Sequence, residues 1–120
     1  MYTSFTMKIV IIMTALIMGL TGVQNAEGRS LTASWYNENG VMANGEQFNP
    51  LHFTCATRDY PLRSLLRVCR MDNPEVYTIV EVTDRINKRF TGIRIDLSPR
   101  AFEKLAPLKE GLVEVNVEEL

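Results

Sequence analysis

Apolar residues fall on every second position in three short runs of this 120-residue chain. Leu31, Ala33 and Trp35 share one side of the first run. Ile93, Ile95 and Leu97 alternate with Arg94 and Asp96 in the second. Val113, Val115 and Val117 line the third, opposite Glu114, Asn116 and Glu118. Successive side chains of an extended strand point to opposite faces, so each run predicts a strand with one buried face. A fourth stretch, Val76–Val82, is apolar on both faces, as predicted for a strand inside a barrel or sandwich. Turn signals separate these runs: Asn37–Gly40, Asn44-Gly45, Asn49-Pro50, Tyr60-Pro61, Asp72–Pro74 and Ile86–Lys88. One helix is predicted late in the chain. Ser98 caps it, Pro99 suits its first turn, and Pro107 stops it after Leu105. About six short strands with one helix predict an all-β fold, a small closed barrel, because closure removes exposed strand edges.

The first 28 residues are predicted to lie outside that barrel. Lys8 precedes an uncharged stretch from Ile9 to Leu20, and small and polar residues follow from Thr21 to Gly28. A basic start, a short apolar run and a small-x-small site (Ala26-Glu27-Gly28) are the pattern of a secretory signal peptide. The apolar run is shorter than the roughly 20 residues that span a bilayer. The expected organisation is a signal peptide over 1–28 and one domain over 29–120, secreted or periplasmic. No cysteine precedes Cys55, so no lipid-anchored cysteine and no stable membrane anchor are expected after cleavage. The domain is expected to be monomeric.

The formal net charge is −1. A nearly neutral domain argues against nucleic-acid binding, which needs a basic surface. His52 is the single histidine and no CxxC pair exists, so neither a metal site nor a cofactor is expected. Export makes a disulfide between Cys55 and Cys69 the default expectation. Their midpoint lies beside Pro61, and a hairpin of 53–57 with 65–69 would set them face to face. Closing about 15 residues would stabilise by roughly 3 kcal/mol. Two buried free thiols are the alternative.

Carboxylates, aromatics and polar turns remain as carriers of chemistry. Asp84 follows the apolar Ile79-Val80-Glu81-Val82 at the entry to a polar, basic loop. A carboxyl half shielded at a barrel rim suits a general acid. It could equally cap a turn or pair with Arg85. Asp96, just before the helix, is read as structural, accepting hydrogen bonds from backbone amides there. Trp35 and Tyr36 could stack on sugar rings, or Trp35 could be core and Tyr36 surface. Asn44, Gly45 and Glu46 form a turn that either binds a ligand or only reverses the chain.

The motifs taken in order carry a resemblance. Ala33-Ser34-Trp35-Tyr36 is followed by Met42-Ala43-Asn44-Gly45-Glu46-Gln47-Phe48, then Thr54-Cys55-Ala56-Thr57 and Tyr60-Pro61-Leu62. Val82-Thr83-Asp84-Arg85 and Gly92-Ile93-Arg94-Ile95-Asp96-Leu97-Ser98 complete the series. Over about residues 32 to 117 this resembles the rare lipoprotein A (RlpA) family. The resemblance implies a six-stranded double-psi β-barrel and an endolytic lytic transglycosylase of peptidoglycan. Such enzymes cleave between N-acetylmuramic acid and N-acetylglucosamine, preferably on peptide-free strands, and leave a 1,6-anhydro product. It implies Asp84 as the catalytic residue, and Trp35, Tyr36, Asn44, Glu46, Thr57 and Arg85 as substrate-binding residues. The partner implied is a peptidoglycan glycan strand or another wall polysaccharide.

Two departures bear on activity. Thr57 stands where the family has a histidine, and threonine cannot exchange a proton near neutral pH. Ile86-Asn87 replaces a Gly-Pro, with a one-residue insertion over Asn87–Phe90. The alternative function is a non-catalytic, expansin-like polysaccharide-binding barrel. A protein-binding barrel such as a protease inhibitor is a third class, which no sequence feature favours.

Overall fold

A computed structural model describes residues 28–120. The signal segment expected over 1–28 lies outside the described residues, apart from Gly28. Among the described residues six strands form: β1 (Arg29–Trp35), β2 (Thr54–Ala56), β3 (Leu65–Arg70), β4 (Tyr77–Asp84), β5 (Arg94–Leu97) and β6 (Val113–Glu119). A single α-helix, α1, covers Pro99–Glu103 among the described residues. The strands close into a barrel in the order β1-β5-β2-β4-β3-β6, with β6 returning to β1. Two pairs, β1 with β5 and β2 with β4, run parallel. The others are antiparallel.

Alternation works as expected on three strands. Leu31 and Ala33, Ile95 and Leu97, and Val113, Val115 and Val117 all point into the core. Leu66, Val68, Val80, Val82 and Cys55 complete the inner wall, and Phe102 of α1 joins the same cluster. The helix starts as its sequence specifies: the Ser98 hydroxyl accepts the Ala101 N–H at 3.2 Å, with Pro99 in the first turn.

Three expectations are corrected. Ile93 precedes β5 and is exposed. β4 is not buried on both faces: Tyr77 and Ile79 are 44% and 43% exposed, while Thr78, Val80 and Val82 face inward. The hairpin that would have bridged the cysteines does not form, because β4 lies between β2 and β3. Cys55 stands opposite Val82 and Cys69 opposite Tyr77, five positions apart along β4. At ~3.3 Å per residue that is beyond disulfide reach. Both thiols are free and buried. Burial pushes the Cys55 thiol well above its ordinary range, which keeps it from forming a reactive thiolate. Titration of the unfolded, non-reduced protein is therefore expected to count two thiols, and of the folded protein none. A count of zero after unfolding would restore the bridge.

Candidate active site

The register of three neighbouring strands sets up one row of side chains on the outer face of the barrel. Ser34 stands opposite Asp96, Asp96 opposite Ala56, and Ala56 opposite Asp84. The last pairing depends on an irregularity. Cys55 faces Val82, but the next residue, Ala56, faces Asp84, so Thr83 is extra on β4. A bulge of this kind re-aims the side chains that follow it. Here it brings Asp84 onto the outer face beside the small side chain of Ala56.

A loop folds over this end of β4. Its tip is an Asn44-Gly45 turn, in which Gly45 takes φ +92°, a conformation that favours glycine. The Met42 N–H donates to Glu46 O at 2.7 Å, and the Asn44 N–H to Thr83 O at 3.1 Å. Met42 and Phe48 are buried beneath the loop, and the Thr83 hydroxyl contacts the Met42 sulfur at 3.2 Å. The Ala43 N–H is thereby aimed at Asp84.

The half-buried Asp84 carboxylate has two unlike oxygens. Oδ1 accepts the N–H groups of Ala43 and Arg85, each at 2.9 Å. Oδ2 has one longer contact, 3.4 Å from the Tyr36 hydroxyl. Oδ1 is an anchor, and Oδ2 keeps spare acceptor capacity. Burial, and then the neighbouring Asp84 charge, push the Tyr36 hydroxyl far above its ordinary range. Tyr36 therefore stays a neutral donor, its ring centroid 4.8 Å from that of Phe48.

The other candidate residues are held by intramolecular contacts. Trp35 is partly buried against the core, and its indole N–H donates to Leu108 O at 2.9 Å. Its indole is tied to the barrel wall, the inward-facing of the two readings that the sequence left open. Thr57 is fully buried and accepts the Asp59 N–H at 3.1 Å, so its side chain cannot line a groove. Arg85 Nη1 donates to the carbonyls of Thr57 and Tyr60, both at 2.7 Å. Through Nη1 it straps the segment after β2 to the Asp84 loop. Asn44 and Glu46 bond mainly to each other: Asn44 Oδ1 accepts the Glu46 N–H at 2.9 Å, and Asn44 Nδ2 donates to Glu46 Oε1 at 3.2 Å. His52 lies five positions before Thr57, where the family has its histidine, and its ring contacts the Asn49 side chain.

Asp96 is anchored, but not by the helix amides. Its carboxylate accepts the Ser34 hydroxyl, while Ser98 does the capping. Asp96→Ala strips Ser34 of its acceptor, and Ser34 is only 8% exposed. We expect a loss of about 1–3 kcal/mol in chemical denaturation, the cost of a buried group left unpaired. Unchanged stability would deny Asp96 its structural role. The Ala43 amide and the Ser34 hydroxyl were not singled out as site groups from sequence. Both sit inside the quoted motifs, but only the strand register reveals what they face.

A six-stranded barrel with two parallel pairs and a rim carboxylate held by a loop amide defines a class of small all-β domain. The family described as lytic transglycolase matches residues 29–117. The endolytic peptidoglycan transglycosylase RlpA of Pseudomonas aeruginosa (strain UCBPP-PA14) is 38% identical over 90 residues, covering 72% of this chain and 26% of the relative. The RlpA of Rickettsia bellii is 37% identical over 94 residues, covering 73% of this chain and 40% of the relative. The chain belongs to this family of RlpA-like double-psi β-barrel domains. It spans well under half the length of these curated relatives.

Solved structures share the fold. A Streptomyces papain inhibitor superposes with a TM-score of 0.63 at 23% identity, covering 78% of this chain and 96% of the inhibitor. A Clavibacter michiganensis expansin, solved as a point mutant in complex with cellohexaose, superposes at 0.54 with 16% identity, covering 77% of this chain and 50% of the expansin.

Proposed function

We propose that this domain is a peptidoglycan lytic transglycosylase in which Asp84 transfers the proton. The observation that carries the reading is the division of labour in its carboxyl group: Oδ1 fixed by two backbone amides, Oδ2 with a single longer contact to the Tyr36 hydroxyl. The names of the sequence relatives supply the substrate, peptidoglycan glycan strands. In the reaction the Asp84 carboxyl protonates the glycosidic oxygen between N-acetylmuramic acid and N-acetylglucosamine as the bond to C1 breaks. The C6 hydroxyl oxygen of the same muramic acid then bonds to C1, and its proton passes to the Asp84 carboxylate. One carboxyl serves both steps, no water is consumed, and a 1,6-anhydro sugar is left. Glycan strands of this kind lie outside the cytoplasm, which agrees with the signal peptide proposed over residues 1–28.

The second reading is a barrel that binds wall polysaccharide without cutting it. The observation that favours it is Thr57, a buried hydroxyl where the family has a titrating side chain. Digestion of peptide-free murein separates the two. The enzyme releases anhydro-disaccharides; a binding module pulls down with the polymer and creates no new ends. Absence of anhydro products, with a folded protein and an active control enzyme, would remove the catalytic reading.

A further inference from the structure

The loop leaving Asp84 holds charge that the proposed chemistry does not use. From residue 85 to 94 the chain has four cations, Arg85, Lys88, Arg89 and Arg94, and no carboxylate. Arg85 is committed to two carbonyls. Among the described residues, the side chains of Arg89 and Arg94 enter none of the ion pairs. Both gather on one ring: their guanidinium carbons lie 4.8 and 4.5 Å from the centroid of Phe90.

The turn that carries this ring is fixed by hydrogen bonds. Lys88–Phe90 is a single 3₁₀ turn whose N-cap, Asn87, accepts the Arg89 N–H at 3.0 Å, and the Phe90 N–H returns to Asn87 O at 2.9 Å. The carboxylates Asp59, Glu114 and Asp96 each accept from groups other than Arg89 and Arg94, and of the three Asp59 alone is charge-paired among the described residues. Asp59 accepts from Arg29 at 3.1 Å and from the Gly92 N–H at 3.0 Å. Glu114 accepts the hydroxyl of Thr32, the β1 residue opposite Arg94. Asp96 accepts from Ser34. The ring face attracts each guanidinium, but it neutralises neither charge.

Position adds to charge. Arg94 and Asp96 alternate to the same face of β5, two residues apart, about 7 Å. The Phe90 cluster therefore borders the row that runs from Ser34 to Asp84. A strand lying across Asp84 and Ala56 toward Arg94 would meet two planar forks with open donors, a geometry suited to carboxylates.

We propose that Arg89 and Arg94, clasped on Phe90, form an anion subsite that selects carboxylate-bearing glycan. In peptidoglycan these are the lactyl carboxylates of muramic acid, exposed once the stem peptides are gone. The inference rests on reading the Asp84 face as the glycan site. A neutral N-acetylglucosamine oligomer would leave the subsite empty.

The test is binding of the Asp84→Asn protein, which leaves strands uncut, to peptide-free murein strands and to the same strands with carboxylates converted to amides. Amidation is expected to weaken binding about tenfold and to flatten its dependence on salt. The Arg89→Gln/Arg94→Gln double variant is expected to bind both polymers at the lower level. Equal binding to native and amidated strands would overturn the subsite. So would a folded double variant that still discriminates, or no binding to either polymer. The amidation arm needs no arginine variant, so a poorly folding double variant leaves the test intact. Salt-dependent binding of carboxylate strands without anhydro products from the wild type would sink the transglycosylase reading alone.

Discussion

Asp84→Asn is expected to lower release of anhydro sugars from peptide-free murein by about 10²–10⁴-fold, the usual contribution of a positioned acid–base group. Its melting temperature should barely move. The reason is the asymmetry of the carboxyl. Oδ1 carries the structural duty, accepting the Ala43 and Arg85 amides at 2.9 Å, and an asparagine carbonyl oxygen accepts the same two bonds. In the proposed reaction Oδ2 carries the chemical duty, and there the substitution puts an amide nitrogen that cannot exchange the needed proton. Asparagine also keeps a polar partner beside the Tyr36 hydroxyl. The readout is paired: initial rate of product release, and thermal unfolding. Full activity in the variant would remove Asp84 from the chemistry. Lost activity with an equally lost fold would make it a structural aspartate.

Much of the barrel is legible in the sequence, because alternation is a local property. Leu31 and Ala33, Ile95 and Leu97, and Val113 to Val117 declare their buried faces within a few residues. The helix cap at Ser98 is equally local. Strand pairing is not. Cys55 and Cys69 suggest a hairpin because they flank Pro61, yet β4 inserts between their strands through long-range pairings. The same limit applies to the site. The Thr83 bulge that turns Asp84 outward leaves no mark in composition. Arg85 reads as a partner for Asp84 or for substrate, but its Nη1 ties it to carbonyls 25 and 28 residues away. Thr57 occupies a motif position and is nevertheless buried, since Asp59 supplies its hydrogen bond locally. The resemblance names the residues; the register says which of them share the outer face with Asp84.

The largest stability effect is expected at Phe102. It is the bulkiest of the fully buried side chains, with no exposure, and it reaches the barrel core from a helix of only five residues. So short a helix has little stability of its own, so the packing of its apolar side holds it in place. Phe102 and Ala101 supply that packing against β1, β4 and β5. Phe102→Ala should therefore cost about 3–5 kcal/mol, lost transfer energy plus the cavity left behind. A domain of this size has only about 5–15 kcal/mol in total, so the variant should be close to unfolding at ordinary temperature. The expected fall in melting temperature exceeds about 10 °C. Phe102→Leu refills part of the volume and should lose well under half as much. Ile79→Ala, at a position 43% exposed on the outer face of β4, should lose little. Urea denaturation of the three variants ranks them. A Phe102→Ala loss below about 1 kcal/mol would mean that α1 does not brace the barrel. The result also bears on the site, because α1 follows β5 directly through Ser98. If α1 detaches while the barrel persists, the Asp96 end of the row should loosen first, and glycan binding should weaken before the sheet melts.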